Sequence, residues 1–99
     1  MIHAEISIYP IGTDSTSVSF YVSKALETIK ELKVRHQVTP MGTILEAKTI
    51  KEIMDASSSI IETVHRLGVR RVEAVLKIDS RIDKDQTLDE KMSSLDRFS

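Results

Sequence analysis

Ninety-nine residues, 40% hydrophobic and 29% charged, describe one small globular domain over residues 1–99, too short for two cores and too apolar for a disordered chain. A net charge of −1 with both signs interspersed, and an aromatic set of two Tyr and two Phe, exclude a strongly basic or base-stacking nucleic-acid surface. No cysteine is present, which excludes disulfides, thiol catalysis and thiolate metal sites. Without a basic–apolar leader or a run of about eighteen apolar residues, the expected location is cytoplasmic, away from membranes.

The chain opens with Ile2-His3-Ala4-Glu5-Ile6-Ser7-Ile8-Tyr9, whose strict alternation is that of a strand with one buried face. It breaks at Pro10-Ile11-Gly12-Thr13 and runs into the hydroxyls Ser15, Thr16 and Ser17 where a helical period begins. A strand turning onto a hydroxyl-rich helix start gathers backbone N–H groups and side-chain oxygens, a setting for a small polar ligand. The same hydroxyls serve as helix caps, the commoner use of such a run.

The first helix is predicted from Ser17 to Leu32, with Val18, Val22, Ala25, Leu26, Ile29 and Leu32 in one stripe and Lys24, Glu27, Lys30, Glu31 and Lys33 mainly toward solvent. Val34–Thr39 and Thr43–Ala47 form a hairpin around Pro40-Met41-Gly42. A second helix opens at Thr49, where Glu52 three residues on completes a capping box, and it closes before Gly68. Its Ser57-Ser58-Ser59 run predicts a crowded neighbourhood that favours small side chains. Val69–Asp79 is the last long strand, Ser80–Gln86 a charged loop, and Thr87 with Glu90 caps a short terminal helix carrying Leu88, Met92 and Leu95. The final residues are expected to fray.

This order predicts an α+β, ferredoxin-like βαββαβ antiparallel sheet with two helices on one face, plus the short C-terminal helix. The other face then carries His3, Glu5, Ser7 and Tyr9 beside Arg71, Glu73, Val75 and Lys77. A half-polar open face on so small a domain favours a homo-oligomer over a monomer. At one end of such a sheet, Thr13, Ser15, Thr16 and Ser17 come near Thr39–Thr43 and within reach of Arg70 or Arg71, and that end is the default site.

His3, His36 and His65 lack metal-ligand spacing, so no metal site is expected; His36 reads as a partly buried, hydrogen-bonded histidine. In Asp79-x-Arg81-x-Asp83 the central Arg favours an ion-paired loop or subunit contact over a cation site. Arg70-Arg71 suits either a helix C-terminus or an anion. No Walker, dinucleotide or nucleophile-elbow pattern occurs.

Three motifs in register, Pro10-Ile11-Gly12-Thr13-x-Ser15-Thr16-Ser17, Met41-Gly42-Thr43-Ile44-Leu45-Glu46 and Ile78-Asp79-Ser80-Arg81-Ile82-Asp83, resemble those of the YkoF-like thiamine-binding family. The resemblance spans essentially the whole chain. It implies the ferredoxin-like fold, dimers and tetramers built through sheet contacts, and binding of thiamine or its hydroxymethylpyrimidine portion, with no catalytic residues and no cofactor other than thiamine as ligand. On that reading the carboxylates Glu5 and Glu46 answer the exocyclic amine and the thiazolium cation. Thr13, Ser17 and Thr43 are the hydroxyl partners, and Tyr9 or Met41 packs on a ring. Arg70 and Arg71 are the anion candidates for a phosphorylated ligand. The leading function is a non-enzymatic small-molecule binder. The alternatives are a structural or regulatory homo-oligomer with a vestigial or anion-binding pocket and, last, an enzyme using Glu5 or Glu46 as general base.

Overall fold

The structure, a computed structural model, describes residues 1–14 and 17–96. Its elements run β1 (Ile2–Ile11), α1 (Ser19–Glu27), β2 (Arg35–Thr39), β3 (Gly42–Ala47), α2 (Ile50–Arg66), β4 (Arg71–Ser80) and α3 (Leu88–Asp96). The strands pair antiparallel in the order β2-β3-β1-β4, the ferredoxin-like sheet predicted from the sequence. Among the described residues no helix is long and apolar enough to cross a membrane.

Period two decides which side chains meet. Ile2, Ala4, Ile6 and Ile8 of β1 fall on one face with Leu45 and Ala47 of β3, and all are buried. Ile53, Ala56, Ile60 and Val64 of α2 complete that core, with Ala25, Leu26 and Ile29 contributed by the first helical segment. Thr49 caps α2 as the sequence predicts, its Oγ1 accepting the Glu52 N–H at 3.1 Å. The return contact differs from the expected box, since the Thr49 hydroxyl donates to the Glu52 carboxylate at 2.9 Å. Ser57 is the crowded serine: it is buried and its hydroxyl donates back to the Ile53 carbonyl, while Ser58 is exposed. Gly68 ends the segment at φ +99°, a conformation that disfavours any side chain.

Two boundaries differ from expectation. α1 stops at Glu27 rather than Leu32, because Thr28 turns its hydroxyl onto the Ala25 carbonyl and the chain continues in i to i+3 turns, Ile29 to Leu26 and Leu32 to Ile29. Ile29 is still fully buried, so the apolar stripe outlasts the helix. β4 begins at Arg71 rather than Val69, which packs into the core ahead of the strand. Of the three hydroxyls expected to open α1, Ser15 and Thr16 lie outside the described residues, as do residues 97–99 at the expected frayed end. Ser17 does not cap: Val18 occupies the N-cap position without a side-chain bond.

α3 crosses the other face of the sheet, at the end where β1 begins. Lys91 pairs with Asp79, the N-terminal ammonium with Asp85, and the Leu88 N–H donates to Glu46 Oε2 at 2.8 Å. Beneath it His3 and Glu46, neighbours in register, are joined Nε2 to Oε2 at 3.0 Å and are almost fully buried. At the opposite end the same face stays open.

Candidate functional site

Helix α1 rests on α2 and touches the strands little, so it roofs the sheet without lying flat on it. The space left between α1, β1 and the β2–β3 turn is a cavity of about 740 Å³. Ile6 and Ile8 of β1 and Ile60 of α2 give it apolar walls. The helix presents two adjacent rows at four-residue spacing: Val18, Val22 and Leu26 form an apolar row, and Ser19, Ser23 and Glu27 an exposed polar row that Lys30 extends. The cavity is thus greasy within and polar along one rim, the usual character of a small-molecule site.

Thr43 supplies a polar group on the β3 side. The residue is 5% exposed, but its hydroxyl oxygen is not itself shut away: among the described residues the buried side-chain polar atom left without a partner is His3 Nδ1. A hydroxyl on the lining of a cavity can donate to or accept from a ligand there.

The turn beside it is firmly built. Pro40-Met41 joins Thr39 to Gly42, and Thr39 Oγ1 accepts the Met41 and Gly42 N–H groups at 3.2 and 3.1 Å while donating to the Gly42 carbonyl at 2.8 Å. Ser7 Oγ donates to the Met41 carbonyl at 3.0 Å, tying the turn to β1. Gly42 makes this approach feasible, since a Cβ there would sit 2.8 Å from Ser7 Oγ and 3.2 Å from the Ile6 carbonyl.

Against this geometry the residues singled out in the sequence divide. Tyr9, Met41 and Thr43 line the cavity. Ser17 stands at its border, its Oγ 2.9 Å from that of Ser19, which does line it. Thr13 is half-buried beyond the end of β1 and outside the lining. Glu5 and Glu46 lie on the opposite sheet face, with Glu5 between Ile44 and Lys77 in register and Glu46 committed to His3 and the Leu88 N–H. Parity is the cause: Thr43 and Glu46 are three residues apart on one strand, and an odd spacing sends them to opposite faces. Arg70 and Arg71 share the cavity's end of the sheet but not its lining, and Arg71 pairs with Glu73 at 3.2 Å.

The sequence reading missed Ser19, Ser23, Glu27 and Lys30. Their four-residue row was visible, but as the solvent side of a helix packed on a sheet. Other expectations fare variously. Arg81 grips Asp83 through two bonds of 2.6 and 3.1 Å and holds its carboxyl below the usual carboxylate range, the ion-paired loop that the intervening Arg predicted. His36 is half-buried, but among the described residues its ring has no hydrogen-bond partner. Nor, among those residues, are three His, Asp or Glu side chains placed to share a metal ion.

Comparisons with known proteins fit this frame. The family model described as Thiamine-binding protein matches residues 4–96. A UPF0045 protein of Methanothermobacter thermautotrophicus is 45% identical over 95 residues, covering 96% of each chain. The UPF0045 protein YqgV of Bacillus subtilis is 37% identical over 98 residues, covering 95% of this chain and 93% of its own. Among solved structures, the hypothetical protein MJ1052 of Methanocaldococcus jannaschii superposes with a TM-score of 0.85 at 39% identity, over 96% of this chain and 95% of that one.

Proposed function

Because the chain belongs to the thiamine-binding protein family, we propose that the cavity under α1 holds thiamine or its hydroxymethylpyrimidine portion, as a cytoplasmic, single-domain, non-enzymatic binder working as a homo-oligomer. The observation that carries this reading is the largely apolar cavity with Thr43 on its β3 side, in a chain whose family model is described as thiamine-binding. An aminopyrimidine is flat and largely apolar, with ring nitrogens and an amine at its edge. Ile6, Ile8, Val22 and Leu26 suit its faces, and the Thr43 hydroxyl, both donor and acceptor, suits its edge. Exposed Met41 at the turn is the side chain available to close over a ring; the Tyr9 side chain shares the open sheet face with Glu5 and Ser7, so Tyr9 borders the cavity through its backbone in β1.

Within this reading the ligand contacts assigned to Met41 and Thr43 stand as proposed, with Ser19 joining Ser17 as hydroxyl partner, while Tyr9, on the other sheet face, does not stack on the ligand. Glu5 and Glu46 are replaced by Glu27 as the acid near the ligand, since Glu27 alone of the three lines the cavity. Titration calorimetry with thiamine, hydroxymethylpyrimidine and inorganic phosphate tests the assignment. Saturable binding of the first two is expected, and Thr43→Val, which keeps the shape and removes the hydroxyl, should weaken both by about tenfold. Equal affinities in wild type and Thr43→Val would remove Thr43 from the site. A response to phosphate alone would favour an anion-binding oligomer instead.

A further inference from the structure

The polar row of α1 ends in two opposite charges. Glu27 is the last residue of the helix and Lys30 follows in the turn, and these are the charged side chains of the cavity lining. Their three-residue spacing allows a mutual contact, yet among the described residues neither is in an ion pair. The N-terminal part of the row carries only the neutral hydroxyls of Ser19 and Ser23.

Glu27 is oddly placed for stability. A helix carries partial negative charge at its C-terminus, where a carboxylate is disfavoured and a cation is welcome. The end of α1 and Glu27 therefore add their negative potentials at one end of an otherwise apolar space. That end will accept a ring cation. Lys30, immediately beyond, offers the reverse sign for an anionic group attached close to that ring.

Resting on the thiamine reading of this cavity, we propose that it selects its ligand by charge: Glu27, with the end of α1, seats the thiazolium cation, and Lys30 seats the phosphate of a thiamine phosphate ester. Such an ester carries a fixed ring cation and a terminal anion a short tail apart, the same sequence of signs that Glu27 and Lys30 present in mirror image. The neutral pyrimidine sits toward Thr43, among Ile6, Ile8 and Leu26. Arg70 and Arg71, outside the lining, are not needed for the phosphate.

Calorimetry with three ligands tests this: hydroxymethylpyrimidine, thiamine and thiamine monophosphate, on wild type, Glu27→Gln and Lys30→Gln. Both side chains are exposed, so the variants should fold, which a thermal melt checks. In wild type the monophosphate should bind severalfold more tightly than thiamine, and thiamine more tightly than the pyrimidine. Glu27→Gln should shrink the thiamine-to-pyrimidine ratio by about fivefold, and Lys30→Gln the monophosphate-to-thiamine ratio by a similar factor, the size of a partly solvated ion pair. Both ratios should also shrink when salt is raised from about 50 to 500 mM. If wild type binds thiamine but both ratios survive the substitutions, charge selection is wrong and the cavity reading stands. If wild type binds none of the three ligands, the cavity reading falls and takes this inference with it.

Discussion

Single residues here are constrained by which sheet face they occupy. Gly42 illustrates the tightest case. Its missing Cβ would meet Ser7 Oγ at 2.8 Å, Glu5 Cγ at 3.1 Å and a backbone oxygen of Ile6 at 3.2 Å. Ser7 can yield only by giving up its bond to the Met41 carbonyl, and the Ile6 backbone cannot yield. Gly42→Ala should therefore cost about 1–3 kcal/mol in urea unfolding, and should loosen the turn beside the cavity. Glu46 is constrained differently. One of its oxygens accepts from both His3 and the Leu88 N–H in a nearly dry setting. Glu46→Ala leaves the buried His3 Nε2 and the half-buried Leu88 N–H unpaired, and a loss of about 1–3 kcal/mol is expected. Since Glu46 lies outside the cavity lining, folded Glu46→Ala should keep its thiamine affinity, a point the same calorimetry measures.

At the scale of elements, α1 owes little to its own helix chemistry, whereas α3 keeps the predicted cap, Thr87 Oγ1 accepting the Glu90 N–H at 3.2 Å. α1 has nine residues and no side-chain N-cap, and it holds its place through Ala25 and Leu26 against α2 and the core. α3 also has nine residues and leaves Met92 and Leu95 more than half exposed. Its docking rests on Glu46 and on a set of exposed ion pairs. The hydrogen bond from Lys91 holds the Asp79 carboxyl below the usual carboxylate range, and the N-terminal ammonium does the same for Asp85. A carboxylate whose pKa is lower folded than unfolded stabilises the fold above its unfolded value, about 3.9 for Asp, and loses that contribution as pH falls through the folded value. α3 should therefore detach on acidification below about pH 4, ahead of the sheet. Hydrogen exchange should show α3 amides losing protection while α2 amides keep theirs; simultaneous loss would place the anchoring elsewhere.

For the whole molecule, the open sheet face sets the next expectation. α3 covers one end of that face, but Val75 is 61% exposed and Tyr9 49% at the other, beside the half-buried Ile44. A second copy covering this face would remove apolar surface from water, at roughly 25 cal/mol per Å². Val75→Lys should shift sedimentation toward the monomer at micromolar concentration, with the fold retained by circular dichroism. An unchanged sedimentation profile would locate any assembly away from this face. Thiamine titrations of the two forms would then tell whether assembly and ligand binding are coupled.

The order of strands and helices was legible in the sequence because alternation in Ile2–Tyr9, the Thr49 cap and Gly68 are local signals with local causes. The same period two already separated Thr43 from Glu46. That Thr43 faces a cavity, that Glu46 is spent on His3 and α3, and that Glu27 and Lys30 stand at a rim were decided only by tertiary structure. Whether a helix lies flat on its sheet or leans on its neighbour depends on packing among residues distant in sequence. Setting α1 against α2, clear of the strands, turns an ordinary solvent row into the polar wall of a cavity without changing one residue in it.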